Sequence, residues 1–279
     1  ICAFIANAAS FVLPISNPAN LVIFREHMPP LLQWLGRFAL PSLLSIAATY
    51  VVLWFTQRDS LGQELMAAEV DVPGLSSGGR TTAGGIVGTE IVLLLVSGFD
   101  IALGLPTFVA GVATASVVLL LKRDSPWTVI KDISWDVLAL VAGLFVLVEA
   151  LDRSGVLKAL IHVLQMAADR SAMVTTWVAG VTLALICNLV NNLPAGLLAG
   201  SVVSASRVPR QVADAVLIGV DLGPNLSVTG SLATILWLTA LRRENQEVSA
   251  WSFLKLGILV MPPALLLAIA GLLVSGSVH

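Results

Sequence analysis

The chain has 279 residues, of which 57% are hydrophobic and 11% charged, and its mean hydropathy is +0.93. A water-soluble domain carries about 25% charged residues, so lipid must be the solvent over much of this surface. The formal net charge of -2 argues against polyanionic partners such as nucleic acid.

The first segment, residues 1–24, is an apolar helix broken by Asn7 and then by Pro14-Ile15-Ser16-Asn17-Pro18-Ala19-Asn20. Polar motif residues arrive within the first turns after Ile1-Cys2-Ala3-Phe4, so the chain is expected to open in mid-protein, with a partner hairpin upstream of Ile1. Residues 27–37, with two prolines and Trp34, read as an interfacial collar, and 40–55 with its flanks as a span. The polar stretch 57–82 reads as a linker between two repeats, 1–56 and 83–279.

Residues 86–96, 106–121, 137–148 and 253–274 are further span cores, judged against the roughly 20 apolar residues that a crossing needs. In 155–170, Lys158, His162, Gln165 and Asp169 recur at helical spacing on an otherwise apolar helix, a pattern for a helix lying in the membrane plane. Residues 171–206 read as a re-entrant hairpin, because apolar arms flank Asn188-Leu189-Val190-Asn191-Asn192-Leu193-Pro194 and the second arm is too short to cross. Asn192 is the expected N-cap of the returning arm, with Pro194 in its first turn, and that helix end directs amide donors into the membrane centre.

Residues 211–238 read as a discontinuous helix. Gly223-Pro224 and Gly230 interrupt it, and Asp221, Asn225, Ser227, Thr229, Ser231 and Thr234 surround the break. Unwound backbone survives in a membrane only where protein or a watery cavity satisfies it, and secondary transporters hold substrate at such breaks. Set against this region, Asn7 falls on Asp221 and Pro18-Ala19-Asn20 on Leu232-Ala233-Thr234, a weak internal similarity of the kind inverted repeats leave. The expected fold is an all-α polytopic membrane protein of about six full spans, an inverted-repeat transporter with a re-entrant hairpin, discontinuous transmembrane helices and an incomplete first repeat.

Taken together, Asp221-Leu222-Gly223-Pro224 with Gly230-Ser231-Leu232-Ala233-Thr234-Ile235-Leu236-Trp237, the tip Asn191-Asn192-Leu193-Pro194, and Ser16-Asn17 with Asn20 resemble the signature of bacterial arsenite-efflux permeases of the ArsB type. The run Asn225-Leu226-Ser227-Val228-Thr229 departs from some members of that family. The resemblance implies a multi-pass protein of the bacterial inner membrane that exports arsenite and antimonite. It implies energy from protons or from a cytosolic arsenite-stimulated ATPase, and no cofactor. No GxxxxGK[ST] loop is present, so ATP chemistry would belong to that partner.

The residues at the breaks are amides and hydroxyls with one carboxylate, a lining suited to a small neutral polyol such as arsenous acid. On this reading Asp221 changes protonation, and Asn7, Ser16, Asn17, Asn20, Asn188, Asn191, Asn192, Asn225, Ser227, Thr229, Ser231 and Thr234 form the substrate-binding cavity. Cys187, beside Asn188, is an alternative soft ligand; Cys2 and Cys187 form no disulfide framework. A sodium/proton antiporter or carboxylate transporter of the same superfamily is the main rival, although the tip lacks an acidic residue. A membrane-embedded enzyme is remote: His27, His162 and His279 lie away from the polar motifs, and no GxSxG elbow occurs.

Overall fold

The computed structural model describes residues 1–24, 28–63, 74–99, 101, 103–123, 125–132, 135–243 and 245–276. Among these the regular elements are helical. In chain order they are α1 (Cys2–Ala8), α2 (Pro18–Ile23), α3 (Leu31–Gln63), α4 (Ser77–Gly98), α5 (Gly104–Lys122), α6 (Pro126–Asp132) and α7 (Trp135–Arg153). There follow α8 (Val156–Arg170), α9 (Ala172–Val190), α10 (Asn192–Ser206), α11 (Arg210–Leu222), a 3-10 turn (Gly223–Leu226), α12 (Leu232–Arg243) and α13 (Ala250–Gly276). Among the described residues, five helices are long and apolar enough to cross a membrane: α3, α4, α5, α9 and α13. The protein is therefore an all-α polytopic membrane protein. His27, His279 and the middle of the 57–82 linker lie outside the described residues.

The chain forms two compact units, Gln63–Ala142 and the remainder, Ile1–Gly62 with Gly143–His279. In the smaller unit α4 packs on α5 where Gly85 faces Thr114 so closely that a methyl group on Gly85 would strike the threonine side chain. Close approach through small residues is how helices associate where lipid removes the hydrophobic drive between them.

The larger unit is built on the crossing of α9 and α11. Gly180 and Ala184 of α9 meet Ala215 and Gly219 of α11 and Gly223 of the 3-10 turn; a Cβ on Gly219 would run into the Gly180 carbonyl, and one on Gly223 into the backbone of Ala184. Around this crossing lies a core that includes Phe11, Trp34, Phe38, Leu217, Ile218, Val220, Leu222 and Ile269. Pro41 within α3 sits against Gly271 of α13, and α13 itself contains Pro262 and Pro263; neighbouring helices make such interruptions tolerable in a membrane.

Two expectations are corrected. Residues 31–37 are not an interfacial collar but the first turns of α3, because Trp34 is fully buried and its indole N–H donates to the Phe11 carbonyl at 3.0 Å. The first arm of the hairpin is longer than its apolar run: Asn188 donates its side-chain amide to the Ala184 carbonyl at 2.7 Å, so the helix absorbs this polar residue and continues to Val190.

Candidate functional site

The break between α11 and α12 follows from its sequence. Pro224 has no backbone N–H to continue an α-helix, and Gly223–Leu226 tightens into a 3-10 turn before Ser227 becomes extended at φ -139° and ψ 150°. The chain re-enters a helix where the Ser231 hydroxyl accepts the Thr234 backbone N–H at 3.1 Å. Polar backbone released by the break must find partners, and the hairpin tip supplies them. Asn188 donates to the Gly223 carbonyl at 2.9 Å, Asn191 to the Thr229 carbonyl at 2.9 Å, and the Asn192 backbone N–H to the Gly230 carbonyl at 2.8 Å.

The tip itself is one residue wide. Asn191 adopts φ 75° and ψ 152°, a conformation otherwise essentially confined to glycine, and its side-chain oxygen accepts the Leu193 N–H at 3.2 Å. The N-cap of α10 is thus Asn191 rather than the expected Asn192, which becomes the first helical residue.

The second break lies between α1 and α2. Asn17 caps α2, accepting the Ala19 N–H at 3.0 Å, and Pro18 opens the helix with a φ suited to that position. The buried Asn20 side chain donates to the Ser10 carbonyl at 2.9 Å and the Leu13 carbonyl at 3.3 Å, holding the irregular 9–16 stretch. The two breaks are joined by side chains. Asn7 donates to the Asn225 side-chain oxygen at 2.9 Å, and Asn17 donates to Asp221 Oδ1 at 2.8 Å.

Asp221 is 0% exposed and its hydrogen-bonding partner, Asn17, is uncharged. The Ser10 hydroxyl donates to the Asn7 carbonyl at 2.8 Å, and Asp221 Oδ2 receives no hydrogen bond. Asn225 Nδ2, Asn188 Oδ1 and Asn20 Oδ1 are likewise buried without a partner. Buried polar atoms are nearly always paired; here four unpaired ones belong to residues of the two breaks and the tip.

Other residues of the sequence motifs are placed differently. Ser16 is exposed and its hydroxyl accepts the Leu13 N–H within its own loop. Thr229 is exposed and contributes its carbonyl. Ser227 reaches toward the Asn188 carbonyl at 3.5 Å, and Ser231 and Thr234, both buried, share a hydroxyl contact of 3.0 Å. Cys187 is buried in the core beside the break.

Two features escaped sequence reasoning. Ser10 stands three residues after Asn7, the one local signal that it shares the Asn7 neighbourhood. Arg37 on α3 pairs with Asp214 on α11 through two contacts, Nε to Oδ2 at 3.0 Å and an NH2 nitrogen to Oδ1 at 2.9 Å. Its guanidinium lies 5.7 Å from the Phe24 ring centre and 5.9 Å from that of Phe38. Asp214 precedes Asp221 by two helical turns on α11, and Arg37 is engaged there rather than at Asp221.

The model of the family described as arsenical pump membrane protein matches residues 1–275. The chain is 28% identical over 280 residues to the arsenical pump membrane protein of Yersinia enterocolitica, covering 96% of this chain and 65% of that protein. It is 28% identical over 286 residues to the protein of the same name from Escherichia coli K12, with the same coverage. An uncharacterized transporter of Synechocystis is 22% identical over 291 residues, 95% of this chain and 65% of its own length. The chain therefore spans just under two thirds of the length of these relatives.

Proposed function

The chain belongs to the arsenical pump membrane protein family, and from that premise we propose that the whole protein exports arsenite and antimonite as their neutral hydroxides, by proton-coupled alternating access. Relatives over nearly the whole of this chain are arsenical pumps by name. Those names support a membrane transporter, and the amides and hydroxyls at the breaks suit the binding of cargo.

The observation that carries the reading is the lining of the junction between the two broken helices. Asn17 donates to the buried carboxylate of Asp221, Asn7 bonds Asn225 across the breaks and Asn188 bonds the Gly223 carbonyl, and among the described residues no ion pair to Asp221 is seen. Anionic substrates call for charge-assisted donors such as a bidentate arginine, whereas amide groups suit the hydroxyls of an uncharged polyol. A neutral cargo moves no charge by itself, so its uphill export needs a coupled ion, and Asp221 is the group here that can take and release a proton. Asn20, Asn191, Asn192, Ser231 and Thr234 shape the same polar region, with Ser16, Ser227 and Thr229 at its margin.

The test uses the full-length protein in everted membrane vesicles energised by respiration. Arsenite uptake abolished by a protonophore is the expected result. Uptake that ignores the protonophore and follows a partner ATPase would overturn the coupling. Movement of sodium or a dicarboxylate in place of arsenite would overturn the substrate.

A further inference from the structure

A second cavity of the larger unit lies on the outer side of the hairpin, away from the two breaks. It holds about 640 Å³, within the size range of small-molecule sites. Both hairpin arms line it, with Thr182 and Ile186 from α9 and Ala199 and Val202 from α10, and α8 closes one side. Along α9 the lining recurs at every fourth residue from Val174 to Val190, so the cleft follows the helix for roughly 24 Å. One end is at Arg170 and Ser171; the other is at Val190 and Pro194, against the hairpin tip. Val174, Val178, Ile186 and Val190 are exposed, so the cleft is open along its length.

The charge at the first end is out of place for a helix of this pattern. The polar stripe of α8 is Lys158, His162, Gln165 and Asp169, whereas Arg170 lies on the opposite, cleft-lining face with Leu160, Val163 and Ala167. Gln165 donates to the Ser206 carbonyl at 2.8 Å, which brings the end of α10, and Arg207 after it, to the same end of α8. Both arginines are exposed, and among the described residues neither is in an ion pair. Of the acidic residues on the bordering helices, Asp169 points along the polar stripe, Asp214 is held by Arg37 and Glu149 by Arg153.

We propose that this cleft binds a phospholipid with an anionic headgroup, an acyl chain lying along α9 and α10 and the phosphate at Arg170 and Arg207. The apolar length of the cleft takes the chain of any lipid, and the unpaired arginines at its mouth select the charge of the headgroup. Basic pockets between membrane helices hold anionic headgroups, and the guanidinium fork matches phosphate oxygens. The seated chain reaches Val190 and Pro194, next to Asn191 and Asn192, and so braces the two arms where they turn. The site is separate from the polar junction and does not depend on the identity of the cargo.

Native mass spectrometry of the purified, delipidated full-length protein tests this, with phosphatidylglycerol and phosphatidylcholine of identical chains added at equal concentration. The parent is expected to retain one phosphatidylglycerol in preference to phosphatidylcholine by about tenfold. The double variant Arg170→Gln with Arg207→Gln loses the preference while its melting temperature stays that of the parent. Val178→Trp, which fills the cleft, lowers retention of both lipids. Lys158→Gln, which removes a charge from the polar stripe of the same helix, leaves the preference intact. Equal retention of the two lipids by the parent overturns the proposal, as does a preference that survives loss of both arginines. A preference lost equally in Lys158→Gln means diffuse surface charge and overturns the headgroup site, and undiminished retention in Val178→Trp overturns the cleft as the seat of the chain.

Discussion

A carboxylate at the centre of a membrane helix costs about 2.5–3.5 kcal/mol on insertion scales, and Asp221 is wholly enclosed by protein. The amide of Asn17 offsets part of that cost at 2.8 Å without neutralising the group. Asp221→Asn matches the size of the protonated acid while removing its proton. The variant is expected to accumulate and melt like the parent, and to lose protonophore-sensitive arsenite uptake by at least about a hundredfold, a scale set by removal of a group that acts as a unit with its partners. Uptake assayed beside thermal unfolding separates this from misfolding. Asp221 and the asparagines were legible because polar residues in apolar helices carry an evident cost. Ser10 was not, since a serine in such a helix commonly bonds its own backbone and leaves no mark in the pattern.

At the scale of elements, α3 and α11 are locked by a contact that sequence spacing cannot show, because Arg37 and Asp214 are 177 positions apart. Removing one partner leaves the other charge buried and costs about 3–5 kcal/mol, whereas replacing both by apolar side chains of similar volume is often neutral. Arg37→Ala or Asp214→Ala should therefore lower the melting temperature sharply, and the double variant Arg37→Met with Asp214→Leu should recover most of it. A double variant as unstable as the sum of the singles would mean that the charges themselves are needed. The helix breaks were legible from Gly223-Pro224 and from Asn17-Pro18, whose chemistry is local. The cap of α10 was displaced by one residue from expectation, because Asn191 takes the positive-φ turn and caps at once while its amide bonds the Thr229 carbonyl outside the hairpin.

For the whole molecule, hydropathy and composition were enough to give an all-helical membrane protein, since lipid leaves a chain few other ways to satisfy its backbone. The amphipathic α8 was likewise readable from the periodic placing of Lys158, His162, Gln165 and Asp169. What the pattern could not give was which helices touch. The α9–α11 crossing depends on Gly180, Gly219 and Gly223, and glycines in apolar helices are too common to single out a contact. Gly219→Leu should be far less tolerated than its conservative hydropathy suggests. Overpacking costs about 1–3 kcal/mol or more, read as loss of folded protein in detergent, and the same change at Gly276, which has nothing close by, should be neutral.

That crossing sets a limit on how the transporter can work. Where Gly219 rests on Gly180, and Gly223 on Ala184, main chain lies directly on main chain, with no side chains between them to swap rotamers or slide. A joint of this kind behaves as a weld. Under the proposed alternating access, the hairpin carrying Asn188 and Asn191 and the broken helix carrying Asp221 and Asn225 would ride as one carriage, and the moving seam would run along their outer margins.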